Sequence, residues 1–289
     1  MACEFSVILP AGFSGAVDAG LTALDEVERL ERKLSVYLAD SEISVLNRCG
    51  GSPDPPSRET YSLLRWATCL SAATGGAFDP AAGALVKAWG FYRGPKRVPS
   101  EAELEAALAA SGVRHLHFDD DTRAIGVDRE GVEFNLGAIG KGFAIDRALQ
   151  LVRSRHGIRS ALMSGGQSSI KAMGAWPVAI GDPPVARLWL RDRALGTSGA
   201  ANQFFLAGGR RYGHVLDPRT GWPARGLISA SAVAPSAAEA DALSTAFYVM
   251  GVEATRRFCA RHPKIGALLV TPDEILPIGN IEVTHEPIH

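Results

Sequence analysis

The sequence predicts an α+β protein. Three observations carry that expectation. Helical periodicity dominates the first half of the chain, short strand-like runs dominate the second, and the two do not alternate as regular β-α-β units. A doubly wound sheet is therefore disfavoured. No repeat, low-complexity stretch or flexible-linker composition interrupts the chain, so residues 1–289 are read as a single domain.

The elements follow in order. From about Ser14 to Tyr37, Leu21, Leu24, Val27, Leu30 and Leu34 recur every three or four residues and predict an apolar helix face. A second helix starts near Ser57 and stops at Gly75-Gly76. Ser100 and Glu103 form a capping box that opens a third. Lys141 to His156 reads as a fourth. Strands are predicted at Ser160 to Met163, Pro177 to Ile180, Ala186 to Leu190, Ile228 to Ala234 and Ala267 to Thr271. Gly208-Gly209 turns a hairpin between Phe204-Phe205 and Tyr212-His214. The last helix opens on a second capping box, Ser236 with Glu239, and stops at Gly251.

Composition excludes several classes. A formal net charge of -1 gives the chain as a whole no electrostatic case for nucleic acid. No apolar run reaches the roughly 20 residues that span a bilayer. Cys3, Cys49, Cys69 and Cys259 are scattered without a C-x-x-C pair, so neither a disulfide framework nor a zinc site is expected. The first residues lack a basic segment followed by a long apolar run. As given, the chain is expected in the cytoplasm; had an upstream signal been removed, the expectation would be an exported, periplasmic protein.

The helix from Ser236 is the most informative stretch. Asp241 and Thr245 are four residues apart and share one face, among small and apolar neighbours that suggest partial burial. A buried carboxylate needs a partner, and a hard cation such as Mg2+, which takes oxygen ligands, would serve. The plainer alternative stays open: Asp241 bonds a backbone amide and Thr245 is helix packing. Three glycine-rich segments would let backbone approach a phosphate or metal: Gly75 to Pro80, Gly137 to Gly142 and Ser164 to Gln167. None matches the P-loop or the dinucleotide fingerprint, and each is equally an ordinary turn. His214 ends a short strand before the turn at Asp217 to Gly221, where it could act as a general base. Asp217 could equally stabilise its own turn, and Thr197-Ser198-Gly199 could be a turn or a set of donors.

Taken together, these segments resemble the ApbE-type FAD:protein FMN transferases. The similarity is collinear over almost the whole chain. It runs through Ser41-Glu-Ile-Ser-Val-Leu-Asn47, Gly76-Ala-Phe-Asp-Pro80 with Trp89-Gly-Phe91, and Leu136-Gly-Ala-Ile-Gly-Lys-Gly142. It continues through Gly165-Gly166, Thr197-Ser-Gly199, His214 to Gly221 and Ala240-Asp-Ala-Leu-Ser-Thr245. The resemblance implies a compact α+β fold related to tandem T-fold-like halves. It also implies FAD as substrate, Mg2+ as cofactor and an acceptor flavoprotein with a Thr or Ser flavinylation site. FMN would pass to that hydroxyl as a phosphoester and AMP would leave. Position by position, it puts the metal on Asp241, Thr245 and the backbone carbonyl of Ala138, and flavin contacts on Met1, Ala77, Phe78, Asp79, Asn135, Lys141 and Val215. The catalytic histidine falls on His214. Asn135 stands where the family often has an acidic residue, and Gln167 where an Asp is usual. The alternatives to transfer are FAD hydrolysis to FMN and AMP, and FAD binding without chemistry.

Overall fold

The computed structural model describes residues 3–181, 183–199 and 203–284, the last without its side chain. The first half holds β1 (Phe5–Ile8), α1 (Ala16–Leu34), α2 (Glu42–Cys49), α3 (Arg58–Ala73), α4 (Gly83–Ala88) and α5 (Glu101–Ala109). Then come β2 (Leu116–Phe118), β3 (Ile125–Val127), α6 (Gly140–His156), β4 (Ala161–Gly165), β5 (Ser169–Met173), β6 (Ala175–Ile180) and β7 (Ala186–Arg191). The remainder is β8 (Ala194–Gly199), β9 (Phe204–Ala207), β10 (Arg210–Gly213), β11 (Ser229–Ala234), α7 (Ala237–Arg261), β12 (Gly266–Val270), β13 (Ile275–Gly279) and β14 (Val283–Thr284). This is the α+β arrangement expected, with antiparallel pairing such as β4 to β5 and β11 to β12.

The chain forms two compact units. The first comprises the residues up to Glu31, Ile139–Ser198 and those from Gly226 onward; the second is Arg32–Ala138 with Gly199–Arg225. In the first unit a seven-stranded sheet runs β1-β4-β5-β8-β11-β12-β13, and a smaller one runs β14-β7-β6. Strand alternation gives the large sheet two different faces. Ala172, Leu195, Val233 and Leu268 join Val178, Ile180, Leu188 and Leu190 of the small sheet in one apolar core. Residues of the opposite alternation, Ser169 on β5 and its partner Gly196 on β8, face α7 instead.

Helix α7 lies against this sheet and against α6, and two glycines allow it to lie close. A Cβ at Gly142 would overlap the Ala237 carbonyl, and one at Gly196 would overlap the Ala240 carbonyl. The first turn of α7 is thus in backbone contact with both α6 and β8.

In the second unit, α4, α5 and the β9–β10 hairpin share a core of Leu85, Trp89, Leu104, Tyr212 and Leu216. The fully buried Trp89 donates its indole N–H to the Gly221 carbonyl at 2.8 Å. That bond ties the turn after β10 to the core. Asp217 does stabilise this turn, accepting from the backbone and side chain of Arg219.

One expectation needs correction, one helix stop is followed by a further helical stretch, and one open alternative is decided. Leu21 and Leu24 are not on the buried face of α1; they are 54% and 39% exposed. The buried stripe is Ala19, Ala23, Val27, Leu30 and Leu34, because two alanines let the start of the helix approach its neighbours. Gly251 does break α7 (φ 72°, ψ -173°), but helical geometry resumes to Arg261. The continuation is held by burial of Thr255, Phe258 and Cys259, and by the Thr255 hydroxyl, which donates to the Gly251 carbonyl at 2.8 Å. Thr197-Ser198-Gly199 is the end of β8 and not a turn.

Gly142→Ala and Gly196→Ala are each expected to destabilise the protein by at least about 1–3 kcal/mol, the usual range for overpacking. Chemical denaturation of the two variants measures this. An unchanged midpoint would show that α7 does not depend on the close approach.

Candidate functional site

The residues implicated by sequence divide between the two units. Asp241, Thr245 and Lys141 belong to the first; Ala77, Phe78, Asp79, Asn135, Ala138, His214 and Val215 belong to the second. Met1 lies outside the described residues.

Asp241 sits in the second turn of α7, and only 5% of it is exposed. Its Oδ2 accepts from the Gly142 amide at 2.8 Å and from the Ser169 hydroxyl at 2.9 Å. Gly142 is in the first turn of α6, where amides have no partner within the helix. Among the described residues no hydrogen bond reaches Oδ1. Burial pushes the carboxyl up to about 6, opposed by the positive charge of Lys141 and the two hydrogen bonds. The plainer sequence reading holds for Asp241, which does bond a backbone amide, and its other oxygen is open to a further partner.

Thr245 lies one turn further along α7, and hydroxyl bookkeeping defines what it offers. Ser244 Oγ donates to the Asp241 carbonyl at 2.8 Å, so its one proton is committed. At the 2.8 Å contact between Ser198 and Ser244, Ser198 must then donate. At the 3.0 Å contact between Ser198 and Thr245, Thr245 must donate in turn. This ordering points the Thr245 proton at Ser198 and leaves an oxygen lone pair for a ligand. A carboxylate oxygen and a hydroxyl at i and i+4 form an all-oxygen set, the kind Mg2+ takes while keeping waters or phosphate oxygens in its shell. These residues fit such a cation. Among the described residues no cluster of three or more His, Cys, Asp or Glu side chains converges as a softer metal would require.

In the second unit, Asn135 Oδ1 accepts from the Gly137 amide at 2.9 Å, shaping the loop that ends at Ala138. Asn135 also lines a cleft of about 280 Å³ with Ser44, Asn47, Arg48, Lys87 and Tyr92. Ala77 and Phe78 are buried, so their side chains serve packing and only their backbone can meet a ligand. Asp79 is committed to structure. It accepts from the Ala81 amide at 2.8 Å and the Val113 amide at 3.1 Å, and burial raises its carboxyl above the ordinary range. Val215 is buried.

His214 follows β10 directly, half-buried, with Phe91 edge-on to its ring at 6.4 Å. Its Nδ1 lies 3.1 Å from the Gln203 carbonyl, which can only accept, so Nδ1 carries a proton. In the neutral ring the basic lone pair is then on Nε2, the tautomer a general base needs.

Sequence reasoning missed Ser169 and Asp146, and it named Ser198 only within a possible set of donors. Asp146 of α6 accepts from the Ala237 and Ala238 amides at the start of α7, each at 2.9 Å, and pairs with Lys171 at 2.5 Å. Ser236 accepts from the Glu239 amide as expected, but among the described residues no return bond from Glu239 completes the box. Asp146 supplies that anion from the neighbouring helix instead. None of these pairings has a local sequence signal, because the partners are far apart in the chain.

A family model described as the ApbE family matches residues 1–269. A FAD:protein FMN transferase of Treponema pallidum is 34% identical over 283 residues, covering 87% of this chain and 78% of that protein. That of Escherichia coli K12 is 31% identical over 257 residues, covering 83% and 72%. Among solved structures, the ApbE protein of Thermotoga maritima superposes with a TM-score of 0.86 at 31% identity, over 98% of this chain and 94% of that one. The flavin transferase ApbE of Vibrio cholerae gives 0.81 at 26% identity, over 99% and 94%.

The raised Asp241 carboxyl has a consequence for stability. Its folded value lies above the ordinary one, so the folded protein holds an extra proton between about pH 4 and pH 6. Ionising the group costs stability as pH rises through that window. Without divalent cation, Asp241→Asn is expected to be more stable than the wild type at pH 7.5, by on the order of 2 kcal/mol. The difference should shrink toward zero near pH 4. Urea titrations at both pH values test this, and a variant less stable than wild type at pH 7.5 would refute it.

Proposed function

This chain belongs to the ApbE family, and on that premise we propose that it is a transferase that uses FAD to place FMN on an acceptor protein. The observation that carries the reading is Asp241. Its carboxylate is buried, tied by one oxygen, and open at the other beside a hydroxyl whose proton points away. A carboxylate so placed is costly unless a cation joins it.

In the mechanism we propose, Asp241 and Thr245 would hold Mg2+, and Lys141 would add positive charge for the phosphates. The bound cation would neutralise charge developing on the pyrophosphate and orient it. The acceptor is a protein with a Ser or Thr whose hydroxyl attacks the FMN phosphorus. The bond from that phosphorus to the bridging oxygen breaks, and AMP leaves. His214 takes the hydroxyl proton on Nε2, directly or through one water. The product is FMN held by a phosphoester. Entry of water in place of the hydroxyl would give free FMN and AMP.

Incubation with FAD, Mg2+ and an acceptor domain is expected to yield AMP and a covalently fluorescent acceptor in equal amounts. AMP without labelled acceptor would replace transfer with hydrolysis, and bound FAD with neither product would overturn both. Asp241→Ala should abolish the Mg2+-dependent reaction. His214→Ala should slow it by about 10²–10⁴-fold, the span of general-base contributions, with little change in FAD affinity.

A further inference from the structure

Helices α6 and α7 exchange hydrogen bonds in both directions. Gly142 of α6 donates its amide to Asp241 of α7, and Ala237 and Ala238 of α7 donate theirs to Asp146 of α6. The spacing is four residues on α6 and three to four on α7, so the two sets of bonds lie about one turn apart. The donors are first-turn amides that their own helices leave unpaired. On α7 three first-turn amides are satisfied: Asp146 takes the first two, and Ser236 takes that of Glu239 at 3.1 Å. Lys171 of β5 fixes the Asp146 carboxylate from the sheet side at 2.5 Å.

Asp241 follows the capped residues by one turn, so rotation or sliding at the cap would move its carboxylate away from Gly142 and Ser169. We propose that Asp146 is a positioning residue for the cation site: it sets the rotation and register of α7, and so aims Asp241 Oδ1 and Thr245 Oγ1. This rests on the reading that those two residues bind a divalent cation. Asp146 itself touches neither cation nor substrate in this account. It acts through two backbone amides.

The test titrates Mn2+ into the full-length chain with saturating FAD and reads free Mn2+ by electron paramagnetic resonance. FAD affinity is measured separately by flavin fluorescence in EDTA. Asp146→Ala is expected to weaken Mn2+ binding by about 10–100-fold, the range for residues that orient metal ligands. FAD affinity without metal should stay within about twofold, a separation that general loosening of the fold would not give. Asp146→Asn keeps one acceptor oxygen and should fall between; it carries the same comparison if the alanine variant does not fold. Asp241→Ala is the control. If it loses Mn2+ binding while folded Asp146 variants keep wild-type affinity, this inference is overturned and the cation site stands. If the wild type fails to bind Mn2+, or Asp241→Ala binds it normally, the cation site and the inference fall together.

Discussion

The backbone contact between the first turn of α7 and its two supports is the constraint on which the rest depends. Gly142 and Gly196 are the positions that permit it, since a side chain at either would occupy the space of a carbonyl on α7. The same closeness has electrostatic consequences. It removes water from Asp241, which raises its carboxyl to about 6. It also brings an unpaired helix amide within reach of the carboxylate, which recovers part of that cost. The packing therefore creates an anion that is incompletely satisfied and correctly held.

Each of the two helices presents its N-terminal amides to a carboxylate of the other. Helix N-termini carry partial positive charge, so an acid is favoured at each. Asp146 and Asp241 are nevertheless not equivalent. Asp146 is saturated by two amides and Lys171, which suits a structural brace. Asp241 has both of its bonds on one oxygen, which suits a ligand. The hydroxyl chain from Asp241 through Ser244 and Ser198 to Thr245 extends the same logic, since each proton is committed in turn.

Much of this was legible in sequence wherever the signal is local. The caps at Ser100 and Ser236, the Gly208-Gly209 hairpin and the i, i+4 relation of Asp241 to Thr245 all lie within one segment. What escaped involves partners distant in the chain: Ser169 is 72 residues from Asp241, and Gly142 is 99. Leu21 and Leu24 misled because leucine spacing competes with an alanine stripe, and packing decides which stripe is buried. β8 was unreadable because Gly196 and Ser198 have weak strand propensity; they are small because α7 passes over them. The flavin has no such local derivation. It enters through the ordered set of motifs and the family they mark.

Helix α7 holds Asp241 with one oxygen bound to protein and the other open to the proposed cation. The most direct measurement is a crystal structure with FAD and Mn2+, with anomalous scattering collected at the manganese edge. The expected result is a peak bonded to Asp241 Oδ1 and Thr245 Oγ1, with Oδ2 still held by Gly142 and Ser169. Bound FAD with no manganese at Asp241, or manganese on Oδ2 in place of those two bonds, would contradict it.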